Sequence, residues 1–169
     1  MSTYYVGIPL LILVAVFDTT LMTLLWLWGG GPNLMLMVIV SWALLVDLRE
    51  ALPWAILGGV FRDLLSEIPT GSSSLFFVIL VIVIDLYLPK LNWRSLLIPI
   101  LTIGAATVAY MLYIFAILVI IGWPVPKFAV LTYVILPSTI ENMLLVLIVF
   151  RTIGAVLAFL RPSRPSLID

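Results

Sequence analysis

Gly58-Gly59-Val60-Phe61-Arg62-Asp63-Leu64-Leu65-Ser66-Glu67-Ile68-Pro69-Thr70-Gly71 is the stretch on which the reading of this chain turns. Two glycines in an apolar helical run lead to adjacent opposite charges and then to a turn marked by proline and glycine. An ionised side chain at the centre of a membrane helix costs at least about 2.5 kcal/mol unless it is paired. Charges here therefore need a reason. At helical spacing Gly58, Arg62 and Ser66 form one stripe, and Gly59, Asp63 and Glu67 form the stripe beside it. Each stripe begins small and becomes polar. Glycine lets a second backbone come close, and polar side chains there gain partners that lipid does not provide. Asp63 lies about one turn before the Ile68 to Ser74 turn, so its carboxylate is placed to accept from backbone amides or to face the positive start of the next helix. Two readings stand side by side. In one, this corner is a shaped site that receives a partner's transmembrane helix. In the other, Arg62 snorkels to outer headgroups and Asp63 caps its own turn, a structural knot without a partner.

Outward from this stretch the chain is almost pure hydrocarbon. Its 169 residues are 64% hydrophobic and 9% charged, with a mean hydropathy of +1.33, the composition of an all-α integral membrane protein in one domain. Eight basic and eight acidic residues cancel, with no basic run, so neither a nucleic-acid groove nor a polybasic lipid sensor is expected. Cysteine and histidine are both absent, which removes thiol catalysis, disulfides, the usual zinc sites and the commonest general base. No nucleophile and base stand at a recognisable spacing. Neither an enzyme nor a cofactor is expected.

Apolar runs, counted against the roughly 20 residues that cross about 30 Å of hydrocarbon, give about six helices. Helix 1 is expected from Tyr5 to Trp28; Met1 to Tyr5 lacks the basic region of a cleavable signal, so this run is expected to remain as a span. Gly29-Gly30-Gly31-Pro32-Asn33 breaks it, with Asn33 suited to cap the next helix. Helix 2 (Leu34 to Leu48) and helix 3 (Ala51 to Ser66) are too short to cross comfortably upright. Helix 4 follows Gly71-Ser72-Ser73-Ser74, whose hydroxyls can cap it, and ends at Leu88-Pro89. Helix 5 runs from Ser95 to Gly122; helix 6 runs from Lys127 through a kink at Pro137 to Phe150, with Thr152 to Leu160 as an interfacial continuation. With Arg49, Lys90, Arg94, Arg151, Arg161 and Arg164 on one side and Lys127 alone on the other, both termini are expected to be cytoplasmic.

Within the spans, Asp18 with Thr19 and Thr20, and Glu141 with Asn142, are expected halfway along helices 1 and 6 with no cation at matched depth. Interhelical hydrogen bonding is the leading reading, and an ion-coupling pair is the other. Gly104-Ala105-Ala106-Thr107 reads as a packing seam, and Met35 and Met37 read as lipid-facing or core filler. Trp42 and Trp54, on the short helices, are the candidate aromatic anchors for a partner. The short pair itself is read as a groove or shortened wall for a single-span protein.

Pro32-Asn33 opening a short helix that contains Trp42-Ala43-Leu44, Gly59 with Asp63 four residues on, then Leu64-Leu65-Ser66 and Gly71, resembles the rod-shape-determining MreD family of the bacterial elongation machinery. Glu67-Ile68-Pro69 departs from the small residues usual there. The resemblance implies a non-enzymatic, multi-pass subunit of the bacterial cell (inner) membrane. Such a subunit binds the bitopic protein MreC and supports RodA and its partner transpeptidase in building lateral cell wall. It also implies a fold similar to the substrate-binding subunits of energy-coupling-factor vitamin transporters, and such a transporter subunit is the alternative function. The residues then expected to form the partner interface or structural polar site are Pro32, Asn33, Trp42, Trp54, Gly58, Gly59, Arg62, Asp63, Ser66 and Gly71.

Overall fold

The computed structural model describes residues 2–20, 30–66, 69–88, 96–123 and 131–160. Among them every regular element is helical: α1 (Ser2–Thr20), α2 (Leu34–Leu45), α3 (Leu48–Leu64), α4 (Ser72–Tyr87), α5 (Leu97–Ile121) and α6 (Leu136–Leu160). A π-helical turn, Leu131–Ile135, leads into α6. Pro137 explains that turn, because its missing N–H and its ring prevent a regular α register in the residues before it. The expected end of helix 1 at Trp28 and start of helix 6 at Lys127 lie outside the described residues, as does Glu67.

α2 is the hub of the bundle and touches all the other α-helices. Its sequence, LMLMVIVSWALL, is apolar around the whole circumference, the pattern of a helix enclosed on every side. Met35 through Leu44 are all buried. Met35 and Met37 are thus core residues, and α2 offers no wall of a groove to a partner, which corrects the expectation for the short pair. α2 also ends three residues earlier than expected and α3 begins three residues earlier. Asp47 is extended between them, and its carbonyl accepts from Glu50 and Ala51, so the first turn of α3 starts there. At the far end, α6 runs unbroken through Arg151 to Leu160. Arg151 is exposed while Ile153 and Gly154 stay buried, so the last turns keep packing on the bundle rather than lying apart from it.

α3 and α4 form the tightest hairpin. Gly59 has no side chain because the Ser74 backbone occupies that space, and Ser74 Oγ donates to the Ile56 carbonyl at 3.0 Å. Gly58 beside it receives Met35 and Ile39 from α2. Trp42 and Trp54 stack with centroids 4.0 Å apart and planes 15° from parallel, and Gly7 of α1 seats on the Trp54 indole.

The outward faces are hydrocarbon. Leu13 on α1, Leu86 on α4, Leu101 on α5, and Leu144 and Ile148 on α6 are exposed, whereas Asn33, Asp63, Thr107, Glu141 and Asn142 are buried. Polar groups inside and apolar groups outside invert the soluble pattern. Two stretches, Leu97–Ile121 and Tyr133–Leu160, are long and apolar enough to cross a membrane.

This packing predicts that Gly59→Ala lowers stability by about 1–3 kcal/mol or more, because a Cβ would collide with backbone rather than with a movable side chain. Gly104→Ala meets only the flexible Met143 thioether at 3.1 Å and is expected to change the thermal midpoint little. Unfolding midpoints of the two variants in detergent, measured beside the parent, check the contrast.

Candidate functional site

Asp63 organises the start of α4. Its Oδ2 accepts from the Gly71 amide at 2.7 Å, and the Ser73 amide donates to the same carboxylate at 3.1 and 3.2 Å. Gly71 stands at φ 99°, the left-handed conformation that turns these amides toward Asp63. The expectation that Asp63 accepts from this turn holds. The expectation that the serine hydroxyls cap the helix does not, because a carboxylate from the previous helix already takes those amides and Ser73 points elsewhere.

Ser73 Oγ shares a 2.8 Å hydrogen bond with the Tyr110 hydroxyl of α5. Arg62 Nε donates to the same Tyr110 oxygen at 2.9 Å, and its guanidinium carbon stands 5.4 Å from the ring centroid. Arg62 Nη1 pairs with Asp18 Oδ2, while Asp18 Oδ1 accepts from the Leu34 amide at 2.5 Å. One polar chain thus runs from the end of α1 through α3 and α5 to the start of α4. Its two carboxylates take amides at the positive starts of α2 and α4, where negative charge is favoured, and Arg62 lies in the last turn of α3, where positive charge is favoured.

Arg62 therefore turns inward instead of snorkelling, and Asp18 has the cation that the sequence did not reveal. The reason is register. Asp18 stands level with the end of α3 and the start of α2, where Arg62 reaches it.

A second chain lies alongside. Asn33 Oδ1 caps α2 by accepting from the Leu36 amide at 2.9 Å, as its residue type suggests. The Asn33 amide donates to Asn142 Oδ1 at 2.8 Å, Asn142 Nδ2 donates to Thr107 at 2.9 Å, and the Gly31 amide donates to Ser138 Oγ at 3.0 Å. Asn142 performs the interhelical bonding expected for that part of helix 6, and Thr107, in the stretch read as a packing seam, adds a hydrogen bond to it.

Between the two chains is a cavity of about 360 Å³ whose wall includes Asp18, Arg62, Tyr110, Pro32, Ser66 and Ser138. Of the residues singled out from sequence, Pro32, Asn33, Arg62 and Ser66 line it, with Asp63 and Gly71 just behind. Gly58, Gly59, Trp42 and Trp54 are used inside the bundle, which puts the two indoles away from any surface anchor role. Tyr110, Ser73 and Ser138 were not foreseen; single hydroxyls on apolar helices carry no spacing signal until their neighbours are known. No group of three or more metal-binding side chains occurs among the described residues.

Arg62→Gln and Asp18→Asn are each expected to destabilise the protein, because each leaves the other charge without its partner. The double variant is expected to be more stable than the sum predicts by about 0.5–3 kcal/mol. A double-mutant cycle on thermal or denaturant unfolding measures this coupling. Comparison with protein-family models, with curated proteins and with solved structures found no match for this chain.

Proposed function

We propose that this chain is a multi-pass membrane scaffold of the cell-elongation machinery: a bundle of about six helices that holds an MreC-like single-span protein. With it, the chain would support RodA and its partner transpeptidase in lateral wall synthesis. The observation that carries the reading is where the MreD-like residues fall. Pro32, Asn33, Arg62, Asp63, Ser66 and Gly71 come from two separate stretches of sequence and converge on one end of the bundle, around one polar assembly. A corner fixed this firmly, on a body whose remaining exterior is mostly hydrocarbon, suits a protein that works by being held. With both termini cytoplasmic, this corner faces outward. Small side chains and a few desolvated polar contacts would supply the affinity, since apolar surface gains little by moving from lipid to protein.

The alternative, a small-molecule-binding subunit of a vitamin transporter, is favoured by one observation. The cavity beside Arg62 lies within the roughly 300–1,000 Å³ of ordinary ligand pockets.

Affinity purification from native membrane followed by native mass spectrometry separates the two. A retained single-span protein supports the scaffold. A retained solute without such a protein, or solute uptake by the reconstituted chain, overturns it. Reporter fusions at the two termini are expected to show both on the cytoplasmic side; opposite sides would break the six-span arrangement.

A further inference from the structure

The cavity between the two polar chains has a wall with a particular charge pattern. Arg62 and Asp18 stand side by side on it, with side chains 22% and 6% exposed, so the pair is reachable and carries no net charge. Among the described residues, neither partner has exhausted its hydrogen-bonding capacity. Of five guanidinium N–H donors, the Nε donor serves Tyr110 and one on Nη1 serves Asp18; Nη2 has no acceptor among the described residues. Each Asp18 oxygen accepts one hydrogen bond and retains a second lone pair. Ser138 Oγ, which accepts from Gly31, has a hydroxyl proton of its own to donate, and no acceptor for it is found among the described residues.

Two further features mark this as a place built around an occupant. The wall carries irregular backbone, Gly30 to Asn33 on one side and the π-helical turn through Val134 on the other. π-turns are frequent at functional sites, and non-helical backbone at membrane depth is tolerated where it lines a cavity. Leu65, Met111 and Val134 add apolar wall to these polar groups. Its volume equals about a dozen water molecules at about 30 Å³ each, room for a small headgroup with water to spare.

A lone anion would meet Asp18 and a lone cation would meet Arg62. A molecule carrying both charges a few ångströms apart satisfies the pair. We propose that this cavity binds a zwitterion made of an ammonium and a phosphate or carboxylate. The acidic oxygens take the free Nη2 donors of Arg62, the ammonium donates to Asp18, and the apolar remainder lies toward Leu65 and Met111. Such chemistry comes from two sources, the phosphoethanolamine headgroup of a lipid or a free amino acid. The assignment stands apart from the scaffold reading, because it concerns the chain by itself.

The test uses the full chain in detergent with defined additions, read by native mass spectrometry and by thermal midpoint. The probes are phosphatidylethanolamine, phosphatidylglycerol and phosphatidylcholine as lipids, and glycine and free phosphoethanolamine as soluble zwitterions. Retention of phosphatidylethanolamine at least about tenfold above phosphatidylglycerol identifies the lipid source. A midpoint raised by glycine or phosphoethanolamine with no such lipid preference identifies the soluble source. Phosphatidylcholine, whose quaternary ammonium lacks N–H donors, is expected to bind more weakly than phosphatidylethanolamine. The charge-free pair Asp18→Asn with Arg62→Gln keeps the shape of the wall and is expected to abolish the preference. Met111→Trp fills the space without touching the pair and is expected to abolish retention of any of them. Equal retention of phosphatidylglycerol, an unchanged preference in either variant, or no response to any probe overturns the proposal.

Discussion

Arg62 stands between Asp18 and Tyr110, and much of the rest of the arrangement follows from keeping that guanidinium satisfied inside a bundle with a hydrocarbon exterior. A charged pair removed from water costs several kcal/mol per ion, which mutual attraction offsets only where the remaining donors and acceptors are also met. Here part of that demand is met by position. Asp18 takes the first amide of α2, Asp63 takes the first amides of α4, and Arg62 sits at the end of α3. Three helix termini of alternating sign are thus joined through three side chains. The ends of α1, α2, α3 and α4 are held at one level as a result.

A fixed end permits a short centre. α2 has 12 residues, about 18 Å of helix, and no polar face with which to choose an orientation. What orients it is its start: Asn33 caps it from within, Asn142 holds the Asn33 amide from α6, and Asp18 holds the Leu34 amide from α1. Its remaining length then packs as an apolar peg, with Trp42 against Trp54 and Met35 against Gly58. Close packing on every side leaves the hub no contact to give away. Any partner of this protein must meet the outer helices or the polar end.

Much of this was legible in the sequence, but unequally. Breaks at Gly29 to Asn33 and at Gly71 located helix starts because glycine, proline and asparagine act on local backbone geometry. The reach of Asp63 to the following turn was legible for the same reason, since eight to ten residues separate the partners. The Arg62 to Asp18 pair spans 44 positions and the Asn33 to Asn142 bond 109, and no local rule fixes which helices adjoin at which depth. Nothing in the spacing along the chain places Asp18 level with Arg62, and that hid its cation. The all-round apolarity of LMLMVIVSWALL did announce a buried helix. Length argued the other way, since a short apolar helix in an apolar chain also suits a lipid-facing wall, and only the neighbours decide between the two.

Stability and recognition make different demands on the same end of the molecule. A purely structural knot would be closed, with each donor matched and the space between the helices filled by side chains. The inner half meets that description: Asp63, Ser73 and Tyr110 are buried and mutually bonded. The outer half does not, because Arg62 keeps donors with no acceptor among the described residues, beside a cavity whose wall includes a π-turn and an extended segment. Filling that cavity with an aliphatic side chain would leave those donors facing hydrocarbon, whereas a polar occupant, water or ligand, gives them acceptors. The same arginine therefore serves two purposes: one edge of its guanidinium ties the helix ends together, and the other remains available to whatever enters.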